Sequence, residues 1–559
     1  MPGVRWRMES SRSTAWPSLI ELFSQTADRH PQRPCFTAYD ETRRSLTYTQ
    51  VRSLAAAVAD ELARAGVQPG DKVALTGANS PEWAVAWVGI LAAGAVVVPL
   101  DHQSKPEEAL RLAQAGDCVA FFADGAKFEY LRSRGEAFRG AWGLDPDQSP
   151  SVAALEPSSS ALVSRPSSEL AALLFTSGTT GQPKGVMLTH ANLTSDCLLA
   201  QGNLEIFFSD VFYALLPIHH SYTMLAVFIE ALSVGAEVVF ARKMAVTQVL
   251  RDLKQARVTM FLAVPMLFNK LLAGILVGVR KKGPVVYGLI RFLMAVSGAL
   301  KKTTGVNPGK KIFHALLDQA SLATVRICIS GGGPLAPSVF RQYNQLGIDF
   351  VQGYGLTETS PILALNPVAH YKETSVGKVI PGVELRILDA DETGQGEIAV
   401  RGPMVMQGYY KHPEATRAVL DPDGWFRTGD VGRVDADNYL TITGRCKSLI
   451  VTEGGKNVYP EEIEFAFQLH DEVEQVLVRG FVLNPELRSE GIEALIYPST
   501  EHQGKPEDDL RPRFQHIIDQ VNATLLPYQR IARFHLLGEP LEMTTKRTIK
   551  RSAAEGVAS

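Results

Sequence analysis

The stretch "TSGTTGQPKG", Thr176 to Gly185, carries three glycines that let backbone approach a ligand closely, four hydroxyls that can donate, and one lysine that can neutralise phosphate. A Walker-type phosphate loop sets glycine immediately before its lysine and Ser or Thr after it. Here Pro183 precedes Lys184 and Gly185 follows, so that spacing fails. The flanks differ too. Leu170 to Phe175 ("LAALLF") and Val186 to Thr189 ("VMLT") both read as short buried strands. The loop therefore joins two strands instead of opening a helix, and no helix dipole faces the anion. A P-loop nucleotidase does not fit.

Outward from that loop, Leu46 to about Asp437 alternates helix and strand, which implies α/β layers with largely parallel sheets. In "LAAAVADELARAGVQPGDKVAL", Leu54, Val58 and Leu62 share a helical face, Gly66 caps it, Pro69-Gly70 turns, and Val73 to Leu75 starts a strand. Further strands are expected at 95–100, 118–122, 236–240, 258–263 and 325–329. Ser149 to Ser168 is a Ser/Pro-rich surface loop. The composition shifts near Gly444. Beyond it, "GRCKSLIVTEGGKNVYPEEIEFAF" reads as a small hairpin followed by a helix from Pro460, whose positive end Glu461, Glu462 and Glu464 complement. The expected fold class is α/β, a large N-terminal domain of layered sheets and helices over 1–444 with a small mobile α+β domain over 445–559.

The chain of 559 residues holds 56 Lys and Arg against 59 Asp and Glu, a net charge of −3, so its balance gives no case for nucleic-acid binding. Five scattered cysteines without CxxC spacing argue against structural zinc and a disulfide framework, and a reducing, cytoplasmic compartment is expected. The N-terminal "MPGVRWRMESSRS" lacks the apolar core of a signal peptide. The most apolar long stretch, Pro284 to Leu300, covers 17 residues with Arg291 inside, which reads as too short and too charged for a membrane span.

The loop keeps company along the chain. "SGGGPL" (Ser330 to Leu335) follows one expected strand and "VQGYGLTETSP" (Val351 to Pro361) the next; "GWFRTGD" (Gly424 to Asp430) and "GRCKSLI" (Gly444 to Ile450) come later in that order. With "LAAGAVVVPLD" (Leu91 to Asp101), these segments resemble the adenylate-forming superfamily of acyl-CoA synthetases, peptide-synthetase adenylation domains and beetle luciferases, over nearly the whole chain.

That resemblance implies attack of a carboxylate on the α-phosphate of ATP, giving acyl-AMP and pyrophosphate. Both reactants are anions, so positioning and charge neutralisation must do the work. It assigns Thr176, Ser177, Gly178, Thr179, Thr180, Gly181 and Lys184 to the β- and γ-phosphates. Gly331, Gly332 and Gly333 would let backbone pack on the adenine plane, with Gln352, Gly353, Tyr354 and Gly355 on its other side. Thr357 would hydrogen-bond the α-phosphate. Glu358, with Thr176, would hold Mg²⁺, a hard ion that prefers oxygen ligands. Asp430 would accept both ribose hydroxyls, assisted by Arg445. Lys447 matches the hinge of a rotating C-terminal domain, and Gly454 and Gly455 would line a tunnel for the pantetheine arm of CoA.

In amino-acid-activating relatives the region of "LPIHHSYTM" (Leu215 to Met224) carries an aspartate for the substrate ammonium. No acid lies between Asp210 and Glu230 here, which argues against an amino acid, and His220 falls beside the expected carboxylate and thiol path. Leu271 to Lys311 holds eight basic residues (Arg280, Lys281, Lys282, Arg291, Lys301, Lys302, Lys310, Lys311) and no acid. It resembles the extra segment of long-chain fatty acyl-CoA synthetases, and residues 280–311 suit peripheral contact with an anionic lipid surface on the inner face of a membrane.

One departure stands out. The family's adenylation lysine falls at Thr548 in "EMTTKRTIKR" (Glu542 to Arg551), leaving Lys546 and Lys550 as candidate substitutes. The expected function is a long-chain fatty acid–CoA ligase using ATP, Mg²⁺ and CoA. The alternatives are an acyl-acyl-carrier-protein synthetase, an aryl-CoA ligase, or an adenylation-impaired homologue that binds acyl groups or nucleotides.

Overall fold

A computed structural model of the chain describes residues 16–39, 43–134, 138–176, 183–241, 244–452, 456–468, 470–484, 489–543, 549 and 551. A sheet of seven strands forms one layer, ordered 408–409, 184–189, 170–176, 96–100, 72–76, 118–123 and 140–143. The four strands from Val96–Leu100 outward to Gly140–Gly143 and the neighbouring Leu170–Thr176 run parallel, whereas Lys184–Thr189 pairs antiparallel with Leu170–Thr176. The second layer is a sheet of thirteen strands. Its parallel run, Pro34–Tyr39, Glu237–Phe240, Val211–Ala214, Met260–Ala263, Ile327–Ser330 and Asp349–Gly355, continues into an antiparallel region that ends beyond Phe426–Val434. The expected parallel sheets are present, each with an antiparallel flank.

Between the layers lies the helix Pro81–Ala92, in which all twelve residues are buried. Ser80 caps it by accepting from the Trp83 amide at 3.1 Å, and Pro81 fills its first turn, where a missing N–H costs nothing. Trp83 and Trp87 fill the space against both sheets, and burial of side chains this large stabilises by roughly 2–3 kcal/mol each or more. The chain order of the parallel strands reverses at Val211–Ala214, which lies between Glu237–Phe240 and Met260–Ala263. In open α/β sheets ligands bind outside the carboxyl ends of strands at such a reversal. The segments leaving those ends are 215–220, 264–265 and 331–333.

Residues beyond 450 form their own core, with Ile463, Phe467, Ile492, Ile496, Phe514 and Ile518 buried together. Its three-stranded sheet is Val473–Asn484, Ser489–Pro498 and Arg533–Leu536, covered by the helices Pro460–Phe467 and Glu507–Thr524. The expected hairpin (450–451 with 457–458) and the helix starting at Pro460 are both observed. Arg551 ties the end of the chain to this core, pairing with both oxygens of Glu464 at 2.8–2.9 Å and donating to the Val478 carbonyl at 2.8 Å.

Three sequence expectations change. The apolar stretch at 284 extends into a 21-residue helix, Pro284–Thr304, the one helix among the described residues long and apolar enough to cross a membrane. It lies along the helix Pro337–Gln345 with Leu289 and Phe292 exposed on its outer side. Lys301 is not a solvent-facing cation: it is buried, donating to Asn344 at 2.7 Å and to Asp349 at 2.6 Å. Lys310 likewise points inward to the Val325 carbonyl at 3.0 Å. The segment "VQGYG" forms the end of the strand Asp349–Gly355 instead of following it.

Candidate active site

Three groups of residues meet at the carboxyl ends of the parallel strands. The first is built on Asp430 and Arg445, which face each other across the antiparallel pair Phe426–Val434 and Tyr439–Arg445. Arg445 Nε stands 2.8 Å from Asp430 Oδ1, and the Tyr354 hydroxyl donates to Oδ2 at 2.7 Å. Burial pushes the Asp430 carboxyl above its ordinary range, against the opposing pull of Arg445 and Tyr354. Each carboxylate oxygen keeps a second lone pair, so Asp430 can still accept from a ligand hydroxyl while its own orientation is fixed.

The second group surrounds Glu358, in the turn Thr357–Thr359. The Tyr409 hydroxyl donates to Glu358 Oε1 at 2.9 Å, and Lys184 Nζ lies 5.1 Å from the centre of the Tyr409 ring. The two-residue strand Gly408–Tyr409 adds to the edge of Lys184–Thr189 and brings this tyrosine in. Burial and the neighbouring carboxylate push the Tyr409 phenol well up, so it stays a donor. Asn192 completes a capping box with Thr189 and uses its amide to hold the carbonyls of Pro403 and Val405 at 2.7 and 2.9 Å. The next amide, Met406 N, donates to the Glu358 carbonyl at 2.9 Å, so a helix cap fixes the acid's backbone. A single carboxylate of this kind suits Mg²⁺, which is held by one or two carboxylates together with substrate phosphates.

The third group is a cavity of about 190 Å³. Thr357, Tyr354, His220 and Ser221 line it together with Leu204, Ile206, Ala226, Met260, Ile329 and Leu365. The Ser221 and Thr357 hydroxyls lie 3.1 Å apart and join its polar rim. One wall is a continuous helical run from Ser221 to Val234, with a π-helical segment at Met224–Ile229, and Ser221, Ala226 and Glu230 on that run face the cavity. Gly331 is required at its position: a Cβ there would stand 2.8 Å from the Tyr222 ring. Gly355 is required too, since a Cβ would meet the Pro361 carbonyl at 1.6 Å.

The expected residues fall in place unevenly. Gly331, Gly332, Gly353, Tyr354, Gly355, Thr357 and His220 line the cavity. Gln352 is buried in its strand, where its carbonyl accepts from Asn366 at 2.9 Å, and Gly333 approaches Pro265. The Thr176 hydroxyl turns to the Lys184 carbonyl at 3.5 Å. Lys447 is exposed in the turn Cys446–Ser448. Ser177, Gly178, Thr179, Thr180, Gly181, Gly454, Gly455, Lys546, Thr548 and Lys550 lie outside the described residues. Tyr409, Ser221 and Glu230 were not anticipated. Only Ser221 had a local signal, its place beside His220. His219 packs on His220 with ring centres 4.1 Å apart, and with Asp101 and His102 it forms a cluster whose ligand atoms lie within 4.8 Å of one another.

A buried, clamped carboxylate, a second carboxylate held by Tyr409 and a largely apolar cavity lined by Tyr354 and Thr357 suit an enzyme that binds a nucleotide beside a carboxylic acid. Residues 23–410 match the AMP-binding enzyme family and residues 447–557 match the AMP-binding enzyme C-terminal domain. The chain belongs to the AMP-binding enzyme family. It is 33% identical to the long-chain-fatty-acid–CoA ligase FadD15 of Mycobacterium bovis, across 74% of this chain and 72% of that protein. It is 30% identical to a feruloyl-CoA synthase of an Amycolatopsis species, across 82% and 85%. Its fold matches the crystal structure of the anthranilate CoA ligase AuaEII in complex with anthranoyl-AMP, with a TM-score of 0.79 at 21% identity over 98% of each chain. The resemblance and the α/β architecture expected from the sequence are both correct. The relatives activate aliphatic and aromatic acids alike.

Proposed function

We propose that this chain is an AMP-forming ligase that joins a fatty acid to CoA. The fatty carboxylate oxygen attacks the α-phosphorus of ATP, the bond to the β-phosphate bridging oxygen breaks, and pyrophosphate leaves. The CoA thiol then gives up its proton to solvent, its sulfur attacks the acyl carbon, and AMP departs with the electron pair of the acyl–oxygen bond. The observation that carries the fatty-acid reading is the apolar lining of the cavity beyond Thr357 and Tyr354. An apolar cavity of about 150 Å³ accepts benzene, so one of about 190 Å³ seats the part of an acyl chain nearest the carboxylate.

Each polar residue then has a role. Tyr354 presents its ring to adenine while its hydroxyl steadies Asp430, which accepts from the ribose. Lys184 and the loop after Thr176 neutralise the β- and γ-phosphates. Thr357 and Ser221 orient the reacting carboxylate and α-phosphate, and His220 guards the thiol path. Glu358, with the Thr176 hydroxyl, would hold Mg²⁺, which when bound offsets phosphate charge. Residues 445–559 would turn about Lys447 between the two half-reactions. The chain would act in the cytoplasm, with the exposed face of Pro284–Thr304 and the cations Arg280, Lys281, Lys282 and Lys302 resting on an anionic lipid surface.

The test is AMP release from ATP with saturated fatty acids of graded length and with aromatic acids, CoA or acyl carrier protein being supplied as acceptor. Release that requires a fatty acid and CoA is expected. Release with aromatic acids alone, or only with the carrier protein, would replace this substrate pair.

A further inference from the structure

Among the carboxylates of the described residues, Glu230 is the one that lines the cavity, whose other polar lining residues are uncharged or histidine. This residue is 3% exposed, yet it lines the cavity. Its Oε2 accepts from Gln201 Nε2 at 2.7 Å, and the same amide reaches Ser233 Oγ at 2.9 Å, with Cys197 Sγ alongside at 3.6 Å. Gln201 is itself fixed as the C-cap of the helix His190–Ala200. A carboxyl brought into a largely apolar wall loses hydration that Gln201 and Cys197 restore in part, and a ligand hydroxyl in the cavity would restore more.

Its distance along the wall is informative. Ser221, which shares the polar rim with Thr357, and Glu230 sit on one continuous helical run, nine residues apart. At a rise of about 1.5 Å per residue the separation is about 12–13 Å, the π-helical segment shortening it slightly. An extended chain advances about 1.2 Å per bond, so Glu230 stands about ten bonds from the carboxylate end. Burial pushes its carboxyl up to about 8, so near neutrality it carries a proton and can donate as well as accept.

We infer that Glu230, held by Gln201, is a specificity-determining residue that selects acids carrying a hydroxyl about ten bonds from the carboxyl group. This rests on the ligase reading above and narrows its substrate class to hydroxylated acids. No bond is made or broken at Glu230; its contribution is one hydrogen bond to the substrate's distal oxygen, and it is absent for a plain alkyl tail.

The experiment compares kcat/KM for acid-dependent ATP–pyrophosphate exchange with ω-hydroxydecanoic and decanoic acids. Wild type, Glu230→Gln and Glu230→Leu are measured. One neutral hydrogen bond is worth about tenfold. Wild type is expected to favour a hydroxylated acid over its plain partner by about tenfold, Glu230→Gln to keep most of that preference, and Glu230→Leu to abolish or reverse it while still activating the plain acid. Equal ratios in all three proteins would overturn the inference and leave the ligase reading standing, as would loss of activity on all acids in Glu230→Leu together with loss of preference in Glu230→Gln. Exchange with no acid in any protein would overturn the ligase reading and this inference with it.

Discussion

Around Asp430 and Glu358 the site is polar and held from several sides: Tyr354 and Arg445 grip one carboxylate, and Tyr409 and the Met406 amide fix the other. Across the same cavity, Leu204, Ala226, Met260 and Leu365 offer only apolar surface, interrupted by Glu230. The first region must place charge-bearing groups against a fixed ligand, ATP, and preorganised donors and acceptors lose little freedom when that ligand arrives. The second must accept a tail with few directional contacts, so shape and volume decide what fits. On the proposed function, chemistry common to the family falls on the polar side, and the choice of acid falls on the apolar side.

The sharpest way to break this contrast is Glu358→Gln. Losing the carboxylate proposed to hold Mg²⁺, and with it the cation that offsets phosphate charge, should lower ATP–pyrophosphate exchange by about 10²–10³-fold. The melting temperature should stay near wild type, because Glu358 is only partly buried. Exchange at the wild-type rate would remove Glu358 from the polar machinery.

The outer face of Pro284–Thr304 asks whether the apolar side of the molecule reaches a lipid surface. Replacing Arg280, Lys281 and Lys282 together by Gln should weaken binding to phosphatidylserine vesicles at low salt by about a hundredfold, each cation near such a surface being worth about 1 kcal/mol. Lys301→Gln should instead destabilise the fold, since its partners Asn344 and Asp349 are internal. Vesicle flotation that ignores the triple change would leave the helix with a different partner.

A smaller effect is expected at Tyr354→Phe. The ring remains for adenine, but Asp430 loses one of its two clamps. The KM for ATP should rise by about tenfold and urea unfolding should show a loss of about 1–2 kcal/mol. An unchanged KM would mean that Asp430 is oriented by Arg445 alone.

The mildest test is thermal and depends on pH. Burial raises the Glu230 carboxyl from 4.5 to about 8, with Gln201 and Cys197 opposing, and Asp196 lies close enough to share the same buried environment. Between those values the folded protein holds a proton that the unfolded chain has released. The stability tied to that proton is full below about pH 4.5 and is lost as pH rises through about 8. Glu230→Gln cannot lose the proton, so its melting temperature should gain on wild type steadily across that window. A constant difference would place the Glu230 titration elsewhere.

How far each region was legible in the sequence follows the same divide. The residues proposed to face the nucleotide lie in short runs such as "YGLTE" and "TGD", where glycine, hydroxyl and acid are neighbours in sequence and so read together as one motif. Cavity residues come from many separate elements, and the π-helical segment at Met224–Ile229 breaks the 3.6-residue period by which Ala226 and Glu230 might have been read as one face. Tyr409 was hidden because a two-residue strand has no periodic signature. Lys301 was read as one of a run of surface cations because its partner Asp349 lies 48 residues away in sequence, a pairing no local window contains.

The central claim is that the polar region alone activates the acid, before any thiol arrives. Its most direct test is a single turnover of enzyme with ATP and a fatty acid, with no CoA present. The account predicts one equivalent of acyl-adenylate and one of pyrophosphate per enzyme, with thioester appearing only when CoA is added afterwards. Pyrophosphate released only when a thiol is present, or ADP and an acyl phosphate in its place, would contradict it.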